Sequence, residues 1–303
     1  MRVFIAGSTG AIGRPLMQLL VADRHIVFAM VRSANASARL SNAGVEAVVA
    51  DALDAGSVEN AVVRVRPDAI INELTSLPRD YTPADMKAAE ERDAQVRLQG
   101  NKNLLAGARA AGVRRFMVQS SAFWYAPGDG LADETEPFAF EASPAIAAGS
   151  RRYAELESSV LGRNHIEGVA LRYGFFYGPG TWYTPGGDIG EQVRTPRLPI
   201  IGEGQGVSSW VHVDDAAAAT VAALDATPGA YNIVDDEPSE QRVWLPAFAR
   251  ASGAPPPPRV TEEQATKAVG ADAVYYATRL RGASNAKAKL ELNFHPRRLE
   301  WLA

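Results

Sequence analysis

The stretch MRVFIAGSTGAIGRPLMQLLVAD, residues 1–23, decides the fold of this chain. Residues 2–6 form a short apolar run that Gly7 closes, and apolar side chains recur at helical spacing over residues 14–23. A buried strand, a glycine turn and an amphipathic helix in this order predict the first unit of a strand–helix–strand arrangement.

The same unit recurs along the chain. Further strands are expected at residues 26–31, 46–50, 68–72, 115–120, 168–173 and 230–234, and helices at 57–65 and 84–111. Because these strands are apolar on both faces and alternate with helices, they predict a parallel sheet with right-handed crossovers. The expected fold class is α/β: a doubly wound parallel Rossmann sheet with a smaller C-terminal substrate-binding lobe.

The glycine turn after the first strand has the spacing of a dinucleotide-binding site. It consists of Gly7, Ser8, Thr9, Gly10, Ala11, Ile12 and Gly13. Its glycines allow a tight turn and a close approach of the backbone to a pyrophosphate, which the N-terminal amides of the helix then hold. An ordinary tight turn needs neither this spacing nor the helix that follows, so the pattern favours a bound dinucleotide.

The residues after the second strand indicate which dinucleotide is bound. An acid there would bind a free ribose 2′-hydroxyl, but the chain has Arg32 and Ser33. Arg32 suits a 2′-phosphate, with Ser33, Ser8 or Arg39 as further donors, although a solvated surface arginine is the plainer alternative. We therefore expect NADP(H), with NAD(H) as the alternative.

The second half of the chain differs in composition. Residues 177–209 are rich in Gly, Pro and Thr, and residues 254–258 read APPPP. Loops at the carboxyl edge of a parallel sheet can form a substrate cap. We expect residues 1–174 to form an NADP-binding domain, residues 210–236 to return to it, and residues 175–209 and 237–303 to form the cap. The proline run suits a rigid connector equally well.

The composition excludes several classes of protein. With 303 residues, 47% hydrophobic and 22% charged, the chain can bury a sizeable core, unlike a disordered segment or a small disulfide scaffold. Its formal charge of -4 argues against nucleic acid as the main partner. Four scattered histidines and the absence of cysteine predict no metal site. Without a membrane-length apolar run or a signal peptide, a cytoplasmic protein is expected, with no membrane partner.

Short motifs spread over nearly the whole chain carry a family resemblance. Besides the glycine turn they are DALD at 51–54, PDAII at 67–71, GNKNLL at 100–105, AGVRRF at 111–116, Ser120 and Ser121 before Tyr125, LRYGFFYGPG at 171–180, WVHVDD at 210–215 and YNIVDDEP at 231–238. Together they resemble the extended short-chain dehydrogenase/reductase family, also called the NAD-dependent epimerase/dehydratase family. The resemblance implies a nicotinamide cofactor and a small-molecule substrate, and it leaves a homodimer open.

The resemblance also implies roles for individual residues. Ser121, four residues before Tyr125, would bind the reacting carbonyl or hydroxyl group, whereas a serine at a strand end otherwise commonly bonds the backbone. Asp51 is placed to accept from the adenine amino group and is equally suited to cap the next helix. Further cofactor contacts are expected from Ala52, Leu74, Thr75, Tyr153 and Tyr173.

The chain departs from the family at its proton-transfer pair. Family members carry Tyr-x-x-x-Lys on the helix after the fifth strand, and here the register that aligns Glu157 and Val160 puts Gly149 and Tyr153 at those positions. Reading Tyr153 as the catalytic tyrosine instead would put Glu157 in place of the lysine, which would raise the pKa of the phenol. Arg97 replaces a family asparagine, and Asn72 to Thr75 replace small residues.

These departures shape the functional hypotheses. Gly149 is expected to leave a phenol-sized space for substrate or water, and the Tyr153 hydroxyl to bind the nicotinamide ribose; the alternative is that Tyr153 only packs and the site is inactive. The leading function is an NADP(H)-dependent oxidoreductase of a small carbonyl or alcohol. Proton transfer would come from Ser121, a water, or Tyr125, Tyr177 or Tyr183. A redox-neutral epimerase, isomerase or lyase, and a non-catalytic NADP(H) sensor, are the alternatives.

Overall fold

The structure is a computed structural model that describes residues 1–33, 35, 40, 44–78 and 80–302. Its strands are β1 (Arg2–Ala6), β2 (Ile26–Val31), β3 (Val45–Val49), β4 (Ala69–Asn72), β5 (Arg115–Ser121), β6 (Glu167–Tyr173), β7 (Phe175–Tyr177), β8 (Ile200–Ile201), β9 (Val207–Ser208), β10 (Trp210–His212), β11 (Gly229–Ile233), β12 (Ser239–Glu240) and β13 (Arg259–Val260). The α-helices among these residues are α1 (Gly13–Ala22), α2 (Ala55–Val65), α3 (Pro83–Ala111), α4 (Pro144–Val160), α5 (Asp188–Arg194), α6 (Val213–Ala222), α7 (Gln241–Ala251), α8 (Glu262–Val269), α9 (Ala271–Thr278) and α10 (Ala286–Leu292).

Seven strands form one parallel sheet in the order β11-β6-β5-β4-β1-β2-β3. The chain winds outward from β1 in one direction through β2 and β3, and then in the other through β4, β5 and β6. This confirms the doubly wound α/β fold. In such sheets ligands bind beyond the carboxyl ends of the strands, where the winding changes direction. That point lies here between β1 and β4.

Helices cover both faces of the sheet, and each face has its own apolar core. On one face Leu16 and Leu20 of α1 are fully buried together with Val3 and Ile5 of β1. On the other face α2, α3 and α4 pack against the alternate side chains of the same strands, such as Phe4. Because β1 is buried on both sides, its side chains lack the apolar–polar alternation of a half-exposed strand.

The segments outside this sheet form small two-stranded sheets, namely β7 with β10, β9 with β12, and β8 with β13. Helix α10 lies on the main sheet, where Ala288 and Leu292 join the core around β11. Helix α10 belongs to the segment 237–303 that is expected to form the cap. The division into a nucleotide-binding domain and a cap is not tested by these contacts and stays a prediction. Within the described part of the chain, no helix is long and apolar enough to span a membrane.

Candidate active site

The glycine turn after β1 is closed by a hydrogen bond from the Gly10 amide to the Gly7 carbonyl, at 3.0 Å. Gly7 has φ of +95°, and a Cβ there would lie 2.3 Å from the Glu73 carbonyl oxygen. A Cβ on Gly13 would lie 2.5 Å from the Gly7 carbonyl oxygen. Both positions therefore require glycine, and the backbone of the turn is left uncovered by side chains.

Helix α1 begins at this turn with open backbone donors. Its N-cap residue, Ile12, is buried and supplies no side-chain hydrogen bond, and the first turn carries no acid. The first amides of a helix need an acceptor, and the positive end of the helix dipole favours an anion. These residues of the structure therefore fit the pyrophosphate of a dinucleotide.

The residues expected to select the dinucleotide lie next to this turn. Arg32 and Ser33 are exposed directly after β2, while Arg39 lies outside the described residues. The Ser8 side chain is buried and donates to the Met30 carbonyl oxygen at 3.1 Å, so its proton is already used within the sheet.

The residues after β3 separate the two roles weighed for Asp51. Asp54, not Asp51, caps α2 by accepting from the Ser57 amide at 3.0 Å. Asp51 instead accepts from the Leu53 amide at 3.0 Å and is exposed. The capping alternative for Asp51 is therefore wrong, because the helix begins one residue after Asp54. Its contact with adenine stays a prediction.

The position of Gly149 on α4 corrects one hypothesis. A Cβ on Gly149 would lie 2.1 Å from a ring carbon of Trp124, so the six-membered ring of the indole lies directly against the glycine. The expected phenol-sized space for substrate or water is therefore absent, because an aromatic ring of the same chain fills it. Trp124 is held there by a hydrogen bond from its Nε1 to the Tyr276 hydroxyl, at 3.0 Å.

Tyr153 lies one turn further along α4, beneath the same indole. Its ring is 5.5 Å from Trp124 between centroids, and the Arg97 guanidinium lies 5.4 Å from its ring centroid. Burial raises the pKa of Tyr153, and the charge of Arg97 opposes that change. The phenol is therefore neutral at pH 7 and supplies none of the lysine's positive charge, whereas Arg97 brings a permanent charge close to the same position.

Glu73 follows β4 and is buried, with 4% of its surface exposed. One carboxyl oxygen accepts from the Tyr173 hydroxyl at 2.9 Å, and the other has no partner within the described residues. Burial raises the pKa of Glu73 to about 8, against the effects of Tyr173 and Arg97. The carboxyl group is therefore mainly protonated at neutral pH.

The predicted proton donors lie in different surroundings. Ser121 is fully buried at the end of β5, and its hydroxyl accepts from the Phe123 amide at 3.3 Å. Tyr125 is fully buried, with its hydroxyl between Arg172 and Asn232.

Two further phenols are candidate proton donors. The Tyr177 hydroxyl donates to the Arg298 carbonyl oxygen at 3.4 Å. Tyr183 borders Phe175 at 6.1 Å between ring centroids.

A buried ion pair fixes α4 against the sheet. Both oxygens of Glu157 accept from Arg172 of β6, each at 2.7 Å, and the Ser120 hydroxyl donates to Glu157 at 2.6 Å. Burial opposes the charge on Arg172, but Glu157 outweighs it and raises the pKa of the guanidinium. This network sets the rotation of the helix that carries Gly149 and Tyr153.

Five rings from separate parts of the chain form one group at the carboxyl ends of β5 and β6. This aromatic cluster consists of Phe123, Trp124, Tyr153, Phe175 and Tyr276. Phe123 and Phe175 stack with centroids 4.3 Å apart, and Phe175 lies 6.0 Å from Tyr276. All except Tyr153 are only half-buried, so part of each of these four rings stays exposed. Such a group of rings suits a flat aromatic ligand.

Sequence reasoning missed the contributions of Trp124 and Tyr276 to this cluster. Gly149 was a local signal that a bulky group packs against α4, but the group lies on another element. Tyr276 comes from α9, and no periodicity in the sequence links it to β5.

The model of the NAD-dependent epimerase/dehydratase family matches residues 3–234. A 3-diazoavenalumate denitrifying reductase from a Streptomyces species is 40% identical, over 99% of this chain and 98% of its own length. A 2-alkyl-3-oxoalkanoate reductase from Stenotrophomonas maltophilia is 28% identical, over 93% of this chain and 86% of its own length. The crystal structure of Thermus thermophilus UDP-glucose 4-epimerase in complex with NAD is similar with a TM-score of 0.74 and 25% identity, and the match covers 99% of this chain and 96% of that one.

Proposed function

This chain belongs to the NAD-dependent epimerase/dehydratase family and is an oxidoreductase, and we propose that it is an NADP(H)-dependent reductase that removes nitrogen from an aromatic diazo compound. One observation carries this choice of substrate. The Trp124 indole covers Gly149, where the family resemblance expects the phenol that protonates a carbonyl oxygen.

The chemistry of a diazo group explains why such a phenol is dispensable. Reduction of a ketone creates an alkoxide, which an acid must protonate. When the nicotinamide cofactor is bound, it supplies a hydride, and the overall reaction of an aromatic diazo compound breaks the C–N bond, releases N₂ and leaves hydrogen on the ring carbon. No proton has to be delivered to an alkoxide oxygen. The relative from Streptomyces, named for denitrifying a diazo compound, supports the same choice.

The aromatic cluster supports an aromatic substrate. The stacked rings of Phe123 and Phe175, with centroids 4.3 Å apart, offer apolar faces near Tyr153. A flat ring stacked against this pair would gain contacts that are worth about 0.5–1.5 kcal/mol for each aromatic pair. In this proposal the chain's own residues orient the ring and exclude water, while Tyr153 binds the nicotinamide ribose.

The choice between the two dinucleotides rests on Arg32. We expect the Arg32→Ala variant to lose about tenfold in NADPH affinity and nothing in NADH affinity, because a guanidinium gains a charge-assisted contact only with the 2′-phosphate. Titration of both cofactors, followed by nucleotide fluorescence, measures this. Tyr153→Phe serves as the control, since losing a ribose contact should weaken both cofactors alike. Equal affinities of the unaltered protein for NADPH and NADH would contradict the assignment.

Reduction of a small carbonyl compound is the second candidate. The relative named as a 2-alkyl-3-oxoalkanoate reductase favours it. In that reaction Ser121 would deliver the proton, directly or through a water, because it ends β5 beside Phe123.

Consumption of NADPH with an ortho-quinone diazide as the probe tests the proposed function. We expect one N₂ released for each NADPH oxidised, at a rate well above that of the protein-free mixture. Ser121→Ala should keep this activity, because no oxygen-bound proton is transferred. Oxidation of NADPH by 3-oxo acids alone, abolished by Ser121→Ala, would replace the proposal with carbonyl reduction. Oxidation by neither class would overturn both.

A further inference from the structure

Arg97 is a buried cation. The side of its guanidinium that carries Nη2 makes no hydrogen bond with the described residues and is called the open edge below. It lies on α3 with 5% of its surface exposed, and its Nε donates to the Asp93 carboxylate at 2.7 Å. One terminal nitrogen, Nη1, lies 3.4 Å from the Gln119 side-chain oxygen, a long contact. The other terminal nitrogen, Nη2, has no hydrogen-bond acceptor in the part of the chain that the structure describes. Nη2 is therefore available to donate a charge-assisted hydrogen bond to an acceptor on a ligand.

The open edge lies where a substrate would react. Gln119 is the residue of β5 that follows the last pairing with β4, so Arg97 reaches across the carboxyl ends of these two strands. The same guanidinium packs against the ring of Tyr153, which contacts Trp124 of the aromatic cluster. The cation is thus at the base of the aromatic cluster and next to the position where the resemblance expects the family's lysine.

The acidic groups around Arg97 allow its guanidinium to pair with one more negative charge. Asp93 occupies the Nε edge, and its other oxygen accepts from the Ser76 amide at 2.7 Å. Glu73 is the other nearby acid, and it is mainly neutral because burial raises its pKa to about 8. Arg97 itself stays charged, because burial opposes its charge but the carboxylate of Asp93 favours it, and the pKa of the guanidinium is raised overall.

We propose that Arg97 binds the ring oxygen of the substrate next to the carbon that loses nitrogen, and stabilises the negative charge that this oxygen gains during the reaction. This deepens the proposed function and rests on it. The substrate class is then an ortho-quinone diazide, in which a ring carbonyl neighbours the diazo carbon.

Arg97 acts on the charge that this reaction creates. As the two electrons of the hydride enter, the C–N bond breaks, N₂ leaves, the delivered hydrogen ends on the ring carbon, and the ring C=O becomes the C–O⁻ of a phenolate. The proton that later converts the phenolate to a phenol comes from water. A guanidinium aimed at that oxygen stabilises the charge as it develops, which a neutral phenol such as Tyr153 does less well. A cation on α3 therefore takes the place of the acid that α4 lacks.

The colour of bound 4-nitrophenol tests this without any turnover. Its phenolate is yellow, and an opposite charge in contact lowers the pKa of a bound acid by about 1–3 units. We expect the NADP⁺-saturated protein to bind the probe as phenolate at a pH about one unit below the pKa of the free probe. Arg97→Met should abolish this shift, and Arg97→Lys should keep part of it as a point charge. Arg151→Met, an exposed arginine of α4, should leave it unchanged.

A second measurement needs no variant. The unaltered protein should bind 4-nitrophenolate at least tenfold more tightly than the neutral 4-nitroanisole, about 1.4 kcal/mol. The proposal is overturned if the protein binds no phenolate, if it does not discriminate between these two probes, or if a folded Arg97→Met variant shows the same shift. Failure of the proposed function is seen separately, as a colour shift that persists while the quinone diazide releases no N₂.

Discussion

Replacing Glu157 with alanine should lower the free energy of unfolding by about 3–5 kcal/mol. Glu157 and Arg172 each expose only 7% of their side chains, and the carboxylate accepts two hydrogen bonds from the guanidinium and one from Ser120. Removing the carboxylate leaves the Arg172 charge buried and poorly compensated, and leaves the Ser120 hydroxyl without its acceptor. That penalty greatly exceeds the small net gain from forming such a pair.

Urea unfolding followed by circular dichroism measures this change. Glu263→Ala is the matched control, because Glu263 contacts Lys267 at 2.9 Å with side chains 78% and 75% exposed. An exposed pair of this kind is worth at most about 1 kcal/mol. If the two variants lost equal stability, the buried network would not be what holds α4 against β6.

The sheet is predictable because its signals are local. The apolar runs at residues 2–6 and 26–31 predict strands by themselves, and these residues form β1 and β2. A strand buried on both faces needs a continuous apolar run, so its limits are visible in the sequence. The glycine turn is equally clear, because Gly7 and Gly13 are required by backbone contacts within a few residues or with the adjacent strand.

The packing of the aromatic cluster around Gly149 is not predictable in the same way. In the sequence Gly149 looks like an empty position, but Trp124 of the β5 loop covers it and Tyr276 of α9 holds the indole. Such contacts depend on how distant segments pack, which residue spacing does not encode.

The charge states of Arg97 and Glu73 cannot be predicted from the sequence for a related reason. In the sequence Arg97 and Glu73 stand out only as departures from the family pattern. Their burial sets how they behave, because a carboxyl removed from water becomes neutral while a guanidinium stays charged. Neither the burial of Glu73 nor the open edge of Arg97 follows from residue type.

Replacing Gly149 with alanine should lower kcat/KM for the quinone diazide about 100-fold and the free energy of unfolding by about 1–3 kcal/mol. The new Cβ would lie 2.1 Å from the Trp124 ring, so the indole must move by roughly 1 Å or more to reach an ordinary contact distance. Overpacking of this kind typically costs about 1–3 kcal/mol, and a 1 Å misplacement near a reacting group can cost about 10²-fold in rate. The shift would also stretch the bond from Trp124 to Tyr276, now 3.0 Å.

The sign of the stability change gives the sharper test. In the interior of a helix, glycine to alanine is normally stabilising by roughly 0.5–1 kcal/mol. Once Trp124→Ala has removed the indole, the same Gly149→Ala change should therefore stabilise the protein rather than destabilise it. Gly186→Ala, where a Cβ meets nothing within 4 Å, is the control and should be nearly neutral in both backgrounds. A double-mutant cycle of unfolding free energies measures the coupling between Gly149 and Trp124. If Gly149→Ala cost the same with and without Trp124, the indole would not be what excludes a side chain at this position, and it would not account for the missing phenol.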